Sequence, residues 1–216
     1  MRRFVPLTLL FLATSLSASR AHAQACLGLP SFAVGPIRVN LSSEFPEDAR
    51  TWAAGIGAGK HDGLFGNIGG GQVTYDDYDP KATFGFVELG LQLPIAGAQL
   101  CPVVGGYYVR GPDDQEFGIE ATSKGGSAGL ALGLPVALTG FSLIPNVAVK
   151  YEYSVQEVVE TGFGTEEFTY SGGLLDLGLA LVLGNRFSIQ PLVHYPFGGD
   201  ADEKVSFGVF ASISLF

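Results

Sequence analysis

Residues 175–183 read Leu-Asp-Leu-Gly-Leu-Ala-Leu-Val-Leu, with leucine at every odd position and Asp176, Gly178, Ala180 and Val182 between them. A period of two sends the leucines to one side of an extended strand and the acidic and small residues to the other. One face suits lipid and the opposite face a narrow polar interior. The pattern recurs at Phe187, Ile189, Pro191, Val193, Tyr195 and Phe197, opposed by Ser188, Gln190, Leu192 and His194. It recurs again at Val205, Phe207, Val209, Ala211, Ile213 and Leu215, opposed by Ser206, Gly208, Phe210, Ser212 and Ser214. A soluble sandwich seldom exposes so many consecutive large apolar side chains. The uncharged stretch 125–149 mimics a membrane helix in hydropathy, but Pro135, Pro145, its glycines and its alternation mark strands.

Charge is distributed with equal order. Of the 21 acidic residues, sixteen fall in five clusters: Glu44, Glu47, Asp48; Asp76, Asp77, Asp79; Asp113, Asp114, Glu116; Glu157, Glu160, Glu166, Glu167; and Asp200, Asp202, Glu203. Polar outer loops alternating with tight, nearly uncharged inner turns are expected of an antiparallel transmembrane up-and-down β-barrel. With each cluster taken as an outer loop, the all-β chain divides into ten strands: 33–44, 50–59, 66–76, 82–93, 98–110, 118–134, 139–156, 167–183, 187–197 and 204–216. Eight is the alternative count, because Gly35 and Pro36 interrupt the first strand and the second is rich in small residues. Inner turns then fall near His61, at 94–97, at 135–139 and at 184–186, and both termini reach the inner rim. The eight tyrosines and Trp52 gather near the outer ends, where amphipathic rings meet a lipid–water boundary.

Residues 1–23 read as a cleaved secretory signal: Arg2 and Arg3, an apolar run, then Ala21-His22-Ala23. Cleavage leaves residues 24–32 as an N-terminal periplasmic segment and 33–216 as the barrel. Loss of Arg2, Arg3 and Arg20 changes the formal charge from −9 to −12, which argues against nucleic acid as a partner. Export makes a bridge between Cys26 and Cys101 the expected state, drawing the N-terminal segment over the barrel base as a partial plug. Two thiols alone make no metal site, and no cofactor is implied.

The signal, the alternating strands, the loop asymmetry and the terminal Phe216 together resemble the small bacterial outer-membrane barrels, the broad class of OmpA-like and OmpW-like proteins. That resemblance implies an outer-membrane location, contact with outer-membrane lipid, and recognition of Phe216 by the barrel-assembly machinery. It embraces pores, structural anchors, adhesins and a few lipid-modifying enzymes.

The turn at 184–186 sets Leu183 opposite Phe187, and hence Asp176 opposite His194. A loop centred on Asp200 sets Ser206 opposite His194 from the other side. An inward Asp176, His194, Ser206 row has the order of a hydrogen-bonded nucleophile system, and outer-membrane lipid A deacylases resemble it in using Ser and His. Those enzymes carry the serine two residues after the histidine, where this chain has Pro196. The ordinary reading is a polar lining in which Asp176 and His194 satisfy each other. Glu88, Asn146, Lys150, Glu152 and Gln190 also face inward, with both signs of charge in a narrow bore. The acidic loops offer carboxylates to divalent cations, Asp76 to Asp79 and Asp200 to Glu203 foremost, without the spacing of a defined calcium loop. The expected function is therefore a non-catalytic structural or narrow-pore barrel; the alternatives are a lipid-modifying hydrolase and a soluble periplasmic barrel holding an apolar ligand.

Overall fold

The computed structural model describes residues 26, 36–60, 62–76, 81–111, 119–160, 162, 164–184, 186–199 and 204–215. The signal, most of the N-terminal segment, Phe216 and the acids at 77, 79, 113, 114, 116, 200, 202 and 203 lie outside the described residues. Ten long strands close an antiparallel barrel: β1 Ile37–Phe45, β2 Ala49–Gly59, β3 Leu64–Tyr75, β4 Ala82–Leu91, β6 Ala98–Arg110, β7 Ile119–Gly133, β9 Phe141–Glu160, β10 Gly164–Leu183, β11 Phe187–Phe197 and β12 Ser206–Ser214. Closure is between β1 and β12, from Arg38↔Ser214 to Phe45↔Phe207. Two short pieces, β5 Leu93–Ile95 and β8 Val136–Leu138, lengthen the inner hairpins. A closed barrel leaves no open sheet edge within the hydrocarbon, which is the condition for strands to cross it.

The inner turns are tight for local reasons. Ile95 pairs with Ala98, and Ala96 and Gly97 between them both take positive φ, 45° and 87°. That backbone twist matches the flanking strands of a two-residue hairpin. Pro135 cannot donate to a ladder, so β7 stops at Gly133 and the turn falls at Thr139 and Gly140, later than the 135–139 expected. On the outer face of the wall, Leu64, Ile68, Ile56 and Leu41 are each more than half exposed, and Leu177, Leu179 and Leu183 continue the belt. Trp52, Tyr108, Tyr151, Tyr153 and Tyr195 rim it at the outer end. Above that girdle the outward side chains turn ionic, with Lys124 Nζ 3.3 Å from Glu157 Oε1. A belt of this kind is incompatible with a soluble periplasmic barrel.

One element departs from expectation. The fourth acidic cluster is not a loop: β9 and β10 run 20 residues each and stay paired to Gly164↔Glu160, with Glu167 opposite Glu157. About 10 residues cross a bilayer in this geometry, so roughly 30 Å of ribbon stands beyond the girdle. Val155, Val158, Val159, Thr165, Phe168 and Thr169 prefer extended backbone, and their preference outweighs the charge between them. β7 joins them as a third strand, up to Ile119↔Glu160. Beyond Gly173↔Phe197, β10 has no β11 partner among the described residues.

Candidate functional site

The even-numbered residues of β10, β11, β12 and β1 and the odd-numbered residues of β6 and β7 point into the bore, and depth decides what they do there. In the inner half the bore is filled. Arg38, Phe65, Cys101, Ile144, Val182, Ser188 and Gln190 are at most 2% exposed. Cys26 is bridged to Cys101, with Cα atoms 5.9 Å apart, and is itself fully buried among Phe65, Val103, Ala131 and Ala148. The N-terminal segment thus reaches inside the barrel at Cys26, rather than only across its base.

Several polar side chains in this half bond one another, although Asn40 Oδ1, Gln92 Oε1 and Gln190 Oε1 accept no hydrogen bond among the described residues. Gln190 Nε2 donates to Asn146 Oδ1 at 3.0 Å, and Asn146 Nδ2 donates to the Ile144 carbonyl at 3.1 Å. Gly178 makes the first bond possible, because a Cβ there would stand 2.6 Å from Asn146 Oδ1. Asn40 Nδ2 donates to Asn67 Oδ1 at 3.0 Å, and the Ser188 and Ser212 hydroxyls lie 3.1 Å apart.

Further out, a charged row crosses five strands. Lys150 Nζ on β9 lies 3.0 Å from Asp176 Oδ2 on β10, whose other oxygen is 2.7 Å from His194 Nδ1 on β11. His194 Nε2 faces Glu44 Oε1 on β1 at 3.8 Å. Gly208 on the intervening β12 leaves the gap for that approach, since a Cβ there would meet Glu44 Cγ at 3.1 Å and His194 Nε2 at 3.5 Å. Asp176↔His194 and His194↔Ser206 are register pairs. Yet the catalytic geometry is incomplete: His194 Nε2 has no hydrogen bond, so nothing ties it to the Ser206 hydroxyl. A base working on serine needs that contact.

Glu88 lines the same cavity from β4, and Glu152 lines a shallower recess at the outer end with Tyr107, Ser154 and Tyr170. Arg38, Asn40, Glu44 and Asn67 are inward residues that the sequence reading omitted. The signal was there in β1, where Arg38, Asn40, Ser42 and Glu44 alternate with Val39 and Leu41. At the outer rim Asp76 Oδ1 pairs with Arg50 Nε at 3.7 Å. Lys204 bonds Glu47, whose carboxylate holds the ammonium pKa above its ordinary value. Among the described residues no group of three or more His, Cys, Asp or Glu side chains is arranged to hold a metal ion.

No protein-family model and no curated protein matches this chain. Solved structures do. The beta domain of the Bordetella autotransporter Brka superposes with a TM-score of 0.53 at 13% identity, covering 83% of this chain and 98% of that one. The fold is that of a bacterial outer-membrane β-barrel. The KdgM porin in complex with disordered oligogalacturonate gives a TM-score of 0.42 at 7% identity, covering 83% of this chain and 99% of the porin. LpxR from Salmonella typhimurium gives 0.41 at 9% identity, covering 82% and 100%. Likenesses this distant carry nothing about activity. For this outer-membrane barrel the apolar belt and the aromatic girdle locate the bilayer independently.

Proposed function

We propose that this protein is a structural, non-catalytic barrel of the outer membrane that does not conduct in its oxidised form and presents an acidic β-ribbon outside. The observation that carries this reading is the packed inner half of the bore, where Arg38, Phe65, Ile144, Gln190 and the Cys26–Cys101 bridge are almost without exposed surface. Ten strands make a barrel only slightly wider than the eight-stranded size that side chains fill. Support for the absence of catalysis comes from His194, whose Nε2 is turned to Glu44.

Planar-bilayer recording on refolded protein tests the reading. The oxidised barrel should give no defined conductance steps, while Cys26→Ser with Cys101→Ser, which frees the N-terminal segment, should give small ones. Steady openings of the oxidised protein would favour the narrow pore instead.

A further inference from the structure

The outer half of the bore holds a cavity of 450 Å³ with two unlike walls. On one wall β4 presents Phe84, Phe86 and Glu88 as a column descending from the mouth, two rings above a carboxylate. The ring centroids are 6.3 Å apart and the planes are tilted by 32°. Glycines of β3 seat them: a Cβ at Gly71 would stand 2.8 Å from Phe84 Cζ, and one at Gly69 would stand 2.7 Å from Phe86 Cζ. Each ring therefore lies back against the sheet and keeps its other side for the cavity.

The facing wall carries the charged row, and there the charges are matched. Lys150 is 3.0 Å from Asp176, which also holds His194 at 2.7 Å. Glu88 is different. No hydrogen bond or ion pair joins its carboxylate to another described residue, and it senses Lys150 and Asp176 only through space. Around the cavity the acidic groups are Glu44, Glu88 and Asp176 and the basic ones among the described residues are Lys150 and His194, so with the facing row matched the unbalanced charge is that of Glu88. A carboxylate that faces the cavity without a protein partner is free to accept a charge-assisted contact from a cation beside it.

We propose that the cavity binds a monovalent organic cation with an aromatic or apolar body, its charged end at Glu88 and its body against Phe84 and Phe86. Ring faces attract such cations, and the volume is within the roughly 300–1,000 Å³ typical of small-molecule sites. An anion would meet three carboxylates, and an uncharged apolar ligand would leave Glu88 as it is. A metal ion requires converging oxygens, which the described residues do not supply. The chain's formal charge of −9 draws cations towards the mouth. The cavity opens outward above the packed inner half, whose Ala131, Ala148 and Gln190 line its lower end, and cation binding and conductance are read by separate measurements.

The test is a titration of the refolded barrel, in uncharged detergent, with phenyltrimethylammonium, using benzenesulfonate and uncharged tert-butylbenzene as shape controls. The cation should bind about tenfold more tightly than tert-butylbenzene, the gain expected of one charge-assisted contact, and benzenesulfonate should not bind. Glu88→Gln should weaken the cation about tenfold and leave tert-butylbenzene unchanged; Phe86→Leu should weaken both. Heat-dependent gel mobility verifies that each variant is folded, and if Glu88→Gln does not fold, Phe86→Leu and the three-ligand ranking decide. Equal binding of cation and tert-butylbenzene, wild-type affinity in both variants, or no cation binding at millimolar concentration overturns the proposal.

Discussion

Asp176 shows what a single inward carboxylate has to do in a bore this narrow. Its two oxygens are divided between Lys150 and His194, so removing the charge strands an ammonium inside the barrel. Asp176→Asn should lower stability by about 3 kcal/mol, the scale for breaking one side of a buried pair. Replacing both partners, Lys150→Met with Asp176→Leu, should recover most of that loss. The midpoint of denaturant unfolding in micelles measures it, and an unshifted midpoint in Asp176→Asn would show that the pair is dispensable. The Asp176–His194 contact was legible because the turn at 184–186 fixes the register. The sequence left Lys150 between Glu152 and Asp176, and register alone does not choose, since Asp176 pairs directly with Ala148 and Lys150 reaches it diagonally. Such a diagonal depends on side-chain length and on Gly129, where a Cβ would stand 2.8 Å from Lys150 Cγ. Glu44 was hidden for the same reason: its approach to His194 depends on the absence of a side chain at Gly208.

The β9–β10 ribbon carries the lesson at the level of elements. Acidic residues read as loops when glycine, proline and aspartate accompany them in the sequence, as at 76–81 and 198–205, but Glu157 to Glu167 lie among valines, threonines and Phe168. Charge alone therefore misreads a solvated strand as a loop. The remaining strand boundaries fall within a few residues of the sequence reading, because apolar alternation and turn chemistry agree there. Among the described residues the outer part of the ribbon pairs only with β7 and with itself. Exchanging residues 157–167 for a two-residue Asn-Gly turn, which joins the native pair Gln156↔Phe168, should leave the thermal unfolding midpoint of the barrel within about 3 °C of the parent, because the hydrocarbon-spanning pairs are untouched. A large drop would mean that the ribbon braces the barrel.

For the whole molecule, strand parity, closure and membrane location followed from periodicity and from the placement of acids and aromatics. The filling of the bore followed in part, from inward side chains in a narrow barrel, but how far Cys26 enters did not, because no periodicity encodes where a segment before the first strand goes. Only the cysteine pair hinted at it. The bridge closes a loop with a sequence separation of 75 residues, so the unfolded oxidised chain should run visibly faster than the reduced chain on a denaturing gel. Equal mobility would mean that the thiols are free.

Both cysteines have no exposed surface once the wall is closed. Neither an oxidase nor a reductant can then touch the sulfurs. The sulfurs are most accessible while the sheet is still open, before β12 seals against β1, and burial slows exchange afterwards. The finished barrel therefore preserves a record of the redox conditions under which it was assembled.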